Sequence, residues 1–378
     1  MYLFQPLADF DYLLYPLLRK RSFCILKKEG GMEKNRFVKE IYGLLEILTG
    51  SARQSGFSWD FRIFLAHRIF RIFSAPRFVL QPVDLEQVVN QLKDCVDLTE
   101  KILIAKKKNK EADIADKRDP EISMQYLYGL AWAQQSDREY YHGASHFADR
   151  LLNSNLDISF LKGAKCLDLG TGHARYALAM VHLGAISVVG IDFSNYCLDE
   201  ARRRLNFYPK EAGKIKLLLK DVYKLPKNMN GAFDFVCANG FIHHLPDPVR
   251  GWQAMFDCLK KGGHAFTFVF ADGGTPWWRA IDLMRELLRP VPLWFSHKTL
   301  EGYEVSGNQI FNILDYSYTP IQHRFERGYV EDTLHNIGFR EIHFLTGGVI
   351  HDSVLRSRLF ETDRQLYGNS EIRYLFRK

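Results

Sequence analysis

Apolar residues follow two different spacings along the 378-residue chain. In the first part they recur every three to four positions, which predicts amphipathic helices. The helical segments are 34–48, 61–73 and 84–104. Farther along, short apolar runs alternate with helical patterns, which predicts parallel strands joined by helices. A charged, apolar-poor stretch separates the two parts. We therefore predict an all-helical N-terminal domain (1–105), a linker (106–120) and an α/β domain (121–378).

The clearest supersecondary unit lies near the middle of the chain. A short apolar run ending at Leu169 contains Asp168 and is followed by Gly170-Thr171-Gly172 and a helical pattern. A second apolar run starts at Ile186 and ends at Asp192. This strand, turn, helix and strand bring two carboxylates to the carboxyl edge of a parallel sheet, where open α/β folds bind ligands. The N–H groups that open the helix can hold a carboxylate or phosphate, and Asp192 can accept both hydroxyls of a ribose.

Two classes of ligand fit this unit. A dinucleotide fingerprint has a third glycine where this chain has Arg175, whose bulk prevents tight helix packing, so a dinucleotide oxidoreductase is disfavoured. S-adenosylmethionine offers an amine for Asp168, a carboxylate for the helix N-terminus and a ribose for Asp192. The motif Leu-Asp-Leu-Gly-Thr-Gly-His-Ala resembles the first motif of the class I S-adenosylmethionine-dependent methyltransferases, roughly D-x-G-x-G-x-G, with Ala174 in place of the last glycine.

The later part of the chain strengthens this resemblance. Further strands are predicted at 215–219, 233–240, 264–270, 341–345 and 372–376, the last one antiparallel at the end of the sheet. The segment His243 to Pro248, a helix, and Lys260 to Gly263 before a strand are similar to the fourth-to-fifth-strand passage of small-molecule methyltransferases, including the ubiquinone and menaquinone type. The resemblance covers 163–272 and implies a Rossmann-like, seven-stranded, doubly wound α/β sheet. The first 105 residues show no resemblance of this kind.

The resemblance also implies a cofactor site for S-adenosylmethionine. Asp221 or its neighbour Val222 would receive the adenine amino group, and Tyr141, on the helix before the first strand, would lie over the cofactor. The expected cofactor-binding residues are Asp168, Gly170, Thr171, Gly172, Asp192, Phe193, Asp221, Val222, Asn239 and Tyr141.

Methyl transfer is an in-line displacement, so a base is needed only where the nucleophile must lose a proton. The candidate catalytic residues are His243, His244, His323 and Tyr316. The segment 274–325 is longer than a minimal connection and predicts a helical lid over the acceptor. Its aromatic residues, Trp277, Trp278, Trp294, Phe295 and Tyr318, would wall an apolar or aromatic acceptor site. The alternative is that the tryptophans bury the insert against the N-terminal domain.

Cysteine usage and hydropathy bear on location. The six cysteines are scattered without a C-x-x-C pair, and several lie in apolar strand or helix patterns. This is typical of reduced core cysteines, so we expect a cytoplasmic protein without a metal site. No apolar run approaches the roughly 18 residues of a membrane span.

Charge bears on partners. Of the net charge of +7, residues 1–80 contribute +6, from 13 Lys or Arg against 7 Asp or Glu. A solvated basic face explains this, and so does contact with an acidic partner, an anionic substrate or a membrane surface. No aromatic residues are interleaved with the basic linker, which argues against nucleic acid. The N-terminal helices could also support a homo-oligomer.

The sequence thus predicts transfer of a methyl group to a small, apolar or aromatic acceptor. The alternatives are a methyltransferase for protein or nucleic acid docked by the basic domain, and a cofactor-binding protein without catalysis.

Overall fold

The computed structural model describes residues 31–53, 56–106, 127, 135–271 and 274–378. The predicted linker lies outside these residues except for Lys106, which ends a helix. The division into two domains at this linker therefore stays a prediction.

A seven-stranded sheet forms the centre of the described chain. Its strands are β1 (Lys165–Leu169), β2 (Ser187–Asp192), β3 (Ile215–Leu219), β4 (Phe233–Asn239), β5 (Leu259–Phe270), β6 (Arg340–Phe344) and β7 (Glu371–Arg377). Their order is β3-β2-β1-β4-β5-β7-β6, with β1 to β5 parallel and β7 antiparallel to both of its neighbours. The Rossmann-like seven-stranded sheet predicted from the sequence is confirmed.

Two details of the sheet differ from the prediction. Strand β7 lies between β5 and β6 and not at the end of the sheet. All five residues of Ile372–Phe376 are buried, as expected for an interior strand covered on both faces. Strand β5 begins at Leu259, before the predicted start at His264, because Leu259 already pairs with Phe233 of β4.

Helices flank the sheet and precede it. They are α1 (Gly31–Arg53), α2 (Trp59–Ser74), α3 (Leu85–Lys106), α4 (Asp137–Leu152), α5 (Arg175–His182), α6 (Asn195–Leu205), α7 (Pro209–Ala212), α8 (Pro248–Cys258), α9 (Pro276–Leu288), α10 (Leu293–Gly302), α11 (Gly307–Tyr318), α12 (Arg327–Ile337), α13 (Ser353–Leu359) and α14 (Glu361–Tyr367). Alternate residues of each strand face opposite sides of the sheet. Accordingly Cys166 packs in the core that contains α4, α5 and α6, whereas Leu167 packs in the core that contains α8 and α12.

The N-terminal helices share a third core with the insert that follows β5. Buried residues of α1, α2 and α3 lie in one cluster with those of α9 and α11. Trp277 of α9 lies against Phe70 and Phe73 of α2, with ring centroids 6.5 and 6.4 Å apart. The insert is therefore buried against the N-terminal helices, which was the alternative interpretation of its tryptophans.

A buried ion pair fastens the connection between α2 and α3 to the C-terminal helices. Arg356 and Asp363 are both fully buried, and Nε of Arg356 lies 2.6 Å from the carboxylate. Arg356 also donates to the carbonyl oxygens of Val79 and Gln81, at 2.6 and 2.8 Å. Asp363 accepts the N–H of Val83 at 3.1 Å. Charged groups this deep are stable only when all of these partners are present.

The interpretation of the cysteines as core residues agrees with the structure. Within the described ranges Cys95, Cys166, Cys197, Cys237 and Cys258 are buried and unpaired. None of the helices in these ranges combines the length and the apolar character that crossing a bilayer requires.

Candidate cofactor and acceptor site

A cavity of about 540 Å³ runs along the carboxyl edge of the parallel strands. We call one end the glycine-turn end. It lies beyond β1, β2 and β3 and is lined by Gly170, Thr171, Gly172, Asp192, Phe193, Asp221 and Val222. We call the other the aromatic end. It lies beyond β4, β5 and β7 and is lined by His243, His244, Phe268, Phe270, Phe311, Asp315, Tyr316 and Glu371. The two ends are continuous, so ligands at both would meet inside the protein.

The turn after β1 takes backbone conformations that favour glycine. Gly170, Gly172 and Ala174 have φ values of +67°, +53° and +65°. At Gly170 a Cβ atom would also lie 2.4 Å from the ring of Phe241, so no other residue fits there. Ala174 occupies the position of the last glycine of the family motif and carries left-handed strain of about 1 kcal/mol.

Asp192, at the end of β2, faces the glycine-turn end. Its Oδ2 accepts the N–H of Gly172 and its Oδ1 accepts the N–H of Ser194, each at 2.9 Å. Burial raises the pKa of Asp192 to about 6, against the effect of these hydrogen bonds. Each oxygen keeps lone pairs for a further donor, so the carboxylate can accept two ligand hydroxyls as predicted.

Asp168 lies beneath the turn and is not part of the cavity wall. Its Oδ2 accepts the hydroxyl hydrogen of Thr171 at 2.7 Å, and burial raises its pKa to about 7. Asp168 therefore supports the turn from below. Its contact with an amine of the ligand stays a prediction.

The remaining predicted cofactor residues divide into two groups. Asp221, Val222, Phe193 and Asn239 line the cavity, and Oδ1 of Asp221 accepts the N–H of Tyr223 at 2.9 Å. The structure does not bring Tyr141 to the wall. Its predicted position over the cofactor therefore has no support.

Sequence reasoning missed two basic side chains at the glycine-turn end. His173 lines the cavity, with Nε2 3.0 Å from Oε1 of Gln135. Arg175 lines it as well and donates to the hydroxyl of Tyr176 at 2.6 Å. Arg175 was considered only as an obstacle to dinucleotides, although a cation at a helix N-terminus is a clear signal for an anionic group.

Two histidines after β4 line the aromatic end. His244 donates from Nδ1 to the carbonyl oxygen of Ile321 at 2.8 Å, and its Nε2 lies 3.9 Å from the carboxylate of Asp315. The ring of His243 lies on Phe270, with centroids 3.9 Å apart. Burial lowers the pKa of both histidines, so both rings are neutral near pH 7 and can accept a proton.

Of the other two candidate catalytic residues, Tyr316 lines the cavity and His323 does not. Nε2 of His323 lies 3.0 Å from the carbonyl oxygen of Leu245. The predicted role of His323 as a base therefore has no support from this geometry and stays a prediction. Tyr316 does line the wall, where its ring stacks on Phe270 at 5.6 Å. Burial raises the pKa of Tyr316, so its hydroxyl stays protonated.

The insert covers the cavity through α11 and not through its tryptophans. Phe311, Asp315 and Tyr316 of α11 form the cover. The tryptophans and Phe295 lie outside the wall, as does Tyr318, which donates to the carbonyl oxygen of Val291. The rings of the aromatic end come instead from Phe268 and Phe270 of β5 and from α11.

Four residues of the aromatic end were not indicated by the sequence: Phe268, Phe270, Phe311 and Glu371. Phe268 and Phe270 end a parallel strand, and the rule that strand ends bind ligands could have indicated them. The same rule could not have indicated Glu371, because only the pairing of β7 with β5 places it opposite Phe270.

We expect Gly170→Ala to destabilise the protein by about 1–3 kcal/mol more than Gly163→Ala, because overpacking adds to the strain of a left-handed residue. The two glycines have φ values of +67° and +77°, but a Cβ atom at Gly163 would meet nothing within 4 Å. Urea unfolding of both variants measures the difference. Equal losses would mean that Phe241 gives way without cost.

The central residues of the chain are similar to known proteins. The family described as Methyltransferase domain matches residues 167–267. A tRNA U34 carboxymethyltransferase of Pseudomonas savastanoi pv. phaseolicola is 37% identical over 106 residues, 27% of this chain and 31% of that protein. The protein of the same name from Pseudomonas aeruginosa (strain LESB58) is 36% identical over 104 residues, with the same coverage. This chain thus spans 31% of the length of both relatives.

Solved structures resemble a larger part of the chain at lower identity. The 1,6-didemethyltoxoflavin-N1-methyltransferase of Burkholderia thailandensis, with bound 1,6-didemethyltoxoflavin and S-adenosylhomocysteine, is 14% identical, covers 71% of this chain and 94% of its own, and has a TM-score of 0.39. An S-adenosylmethionine-dependent methyltransferase from Mesorhizobium loti is 19% identical, covers 58% and 94%, and has a TM-score of 0.38. Residues 167–267 thus match a methyltransferase domain, and they lie within the Rossmann-like seven-stranded sheet.

Proposed function

We propose that this protein binds S-adenosylmethionine at the glycine-turn end and transfers its methyl group to a small, apolar or aromatic acceptor at the aromatic end. The observation that carries this proposal is the single cavity that joins Asp192 to the rings of Phe268, Phe270 and Tyr316. The match of residues 167–267 to a methyltransferase domain supports the same reaction.

The residues of the glycine-turn end suit this cofactor. Asp192 would accept the ribose hydroxyls, and Asp221 with the backbone at Val222 would receive the adenine amino group. Arg175 and the N–H groups that open α5 would hold the methionine carboxylate. When bound, S-adenosylmethionine supplies a methyl carbon whose bond to sulfur breaks, with the electron pair remaining on sulfur, as the nucleophile of the acceptor attacks it.

The aromatic end would orient the acceptor and exclude water from it. Where the nucleophile carries a proton, Nε2 of His244 can accept it, because Nδ1 is committed as the donor to Ile321. Asp315, 3.9 Å away, would stabilise the resulting imidazolium. His243 is the second candidate, since burial also keeps its ring neutral.

A tRNA acceptor is the second candidate function, because both relatives are named tRNA U34 carboxymethyltransferases. Against it, the described wall residues of the aromatic end include the carboxylates of Asp315 and Glu371 but no lysine or arginine, which disfavours an anionic group there. Retention on immobilised tRNA at rising salt separates the two candidates. Binding that persists at 0.2 M salt with a steep salt dependence would favour tRNA.

We expect S-adenosylmethionine or S-adenosylhomocysteine to bind with a Kd in the micromolar range, about −8 kcal/mol, and the nicotinamide dinucleotides not to bind. Arg175 occupies the position where a dinucleotide site needs glycine. Calorimetry with each ligand measures this. Tight binding of a dinucleotide without binding of S-adenosylmethionine would refute the proposed function.

The buried, unpaired thiols of the described cysteines support a reducing compartment, and we include a cytoplasmic location in the proposal. Contact of the basic N-terminal region with a membrane surface and formation of a homo-oligomer stay predictions.

A further inference from the structure

The aromatic end contains an ionised carboxylate that the proposed methyl transfer does not use. Glu371 begins β7 opposite Phe270 of β5 and lines the cavity. Its Oε2 lies 2.7 Å from Nη2 of Arg373, and its Oε1 lies 3.9 Å from Nη2 of Arg77. Burial and, to a smaller extent, the nearby carboxylate of Asp352 raise the pKa of Glu371, but the two arginines outweigh them and hold the pKa below its ordinary value. Glu371 is therefore a fixed, negatively charged hydrogen-bond acceptor in the wall.

Arg77 belongs to the N-terminal helical region. It lies in the 3₁₀ turn Ala75–Phe78 that follows α2. Its guanidinium is held between the rings of Trp277 and Tyr367, 5.0 and 5.1 Å from their centroids. It also donates to the hydroxyl of Ser370 at 3.3 Å. These contacts fix the orientation of Arg77, so the N-terminal region extends to the carboxylate in the cavity wall.

The surroundings of Glu371 indicate what it could bind. Phe268, Phe270 and Tyr316 supply apolar ring surface, and the guanidinium of Arg373 lies 4.7 Å from the centroid of the Phe268 ring. Neither Arg77 nor Arg373 is part of the wall, so a ligand would meet the carboxylate and not its cations. A ring that carries a hydrogen-bond donor fits such a surface, because Glu371 offers lone pairs and no proton.

We propose that Glu371 binds a hydroxyl or amino group of an apolar or aromatic acceptor, and that Arg77 positions Glu371 for this contact. The inference deepens the proposed function and rests on it, because the bound ring is a methyl acceptor only if the protein transfers methyl groups. Its consequence is that the N-terminal helices complete the acceptor site. Arg77 is a positioning residue, since it acts through Glu371.

The test uses two probes of nearly the same shape, 2-naphthol and 2-methoxynaphthalene. Only the first can donate a hydrogen bond. We expect the full-length wild-type protein to bind 2-naphthol at least tenfold more tightly, with and without S-adenosylhomocysteine, as measured by calorimetry. In Arg77→Met this preference should fall to about threefold or less at pH 7 while the affinity for S-adenosylhomocysteine stays unchanged, because a charge-assisted hydrogen bond weakens when its acceptor is misplaced or protonated.

The pH profile separates positioning from a general structural role. Loss of Arg77 raises the pKa of Glu371, so the preference of Arg77→Met for 2-naphthol should decrease as the pH is lowered from 8 to 5, whereas that of the wild type should stay constant. A structural defect would weaken both probes equally at every pH. The matched control is Arg53→Met, which removes another arginine of the N-terminal helices, 3.8 Å from Glu286 and mostly exposed. This control should behave as the wild type.

Glu371→Gln, measured in parallel, keeps the test decisive if Arg77→Met does not fold. It should lose most of the preference at all pH values. Equal affinity of the wild type for the two probes, or no binding of either, would overturn the inference. Discrimination between the probes by a protein that binds no S-adenosylhomocysteine would refute the proposed function and leave the contact with Glu371 intact.

Discussion

Asp192→Ala is expected to weaken the binding of S-adenosylmethionine by about 10²- to 10⁴-fold, because two charge-assisted hydrogen bonds of about 1.5–3 kcal/mol each would be lost. The carboxylate ends β2 at the glycine-turn end and is fixed by the N–H groups of Gly172 and Ser194. Calorimetry of the purified variant measures the loss. Unchanged affinity would mean that the ribose does not lie at the end of β2.

The same carboxylate predicts a pH dependence. The pKa of Asp192 is raised to about 6, so its ionised form is present above this pH and is lost as the pH falls through 6. Affinity for S-adenosylmethionine should therefore decrease below about pH 6 in the wild type and not in Asp192→Ala. Asp199→Ala is a suitable control, since Asp199 is exposed on α6 and pairs with the exposed Arg202 of the same helix. Its affinity and its pH profile should match those of the wild type.

Arg356→Met is expected to lower the free energy of unfolding by about 3–5 kcal/mol, because removal of one partner of a buried ion pair leaves the other charge uncompensated. Asp363 would stay fully buried without its cation. The carbonyl oxygens of Val79 and Gln81 would lose their donor as well. Urea unfolding monitored by tryptophan fluorescence measures the change.

The control for this prediction lies on the neighbouring turn of helix. Arg364 pairs with Glu361 on α14, but both side chains are half exposed or more. Solvent screens such a pair, so Arg364→Met should change the free energy of unfolding by less than about 1 kcal/mol. If Arg356→Met lowers the free energy of unfolding as little as this control does, the buried ion pair contributes little to stability. The double variant Arg356→Met with Asp363→Leu should recover part of the stability, because no uncompensated charge remains.

The local sequence pattern was enough to predict the strands and the helix that form the glycine-turn end of the cavity. The βαβ unit from Cys166 to Asp192 was predicted correctly because strand, turn and helix each have a signal within a few residues, including the glycines of the turn. The edge at which Asp192 and Asp221 meet then follows from parallel pairing alone. The hydrogen bond between Asp168 and Thr171 was not predicted, because the pattern gives the strand but not the contacts beneath the turn.

The aromatic end could not be predicted to the same depth. The tryptophans of the insert have an apolar pattern that any partner could cover, and only the fold places Trp277 against Phe73. His323 has the chemistry of a base, yet its ring is turned to the carbonyl oxygen of Leu245. Glu371 comes more than a hundred residues after the histidines that it accompanies. Each of these positions depends on contacts between distant segments, about which residue spacing contains no information.

The place of β7 in the sheet has a consequence for the order of folding. Among the described strands, β6 pairs only with β7, although it precedes β7 in the chain. Strand β6 therefore has no partner until β7 has paired, and a chain that has formed only β1 to β5 has the twelve residues of β5 as an open edge. Open strand edges pair readily with other chains, so a chain without β7 would expose an edge that the complete fold covers. The pairing of β7 with β5 both covers this edge and brings Glu371 to the cavity, so one strand pairing closes the sheet and completes the wall of the aromatic end.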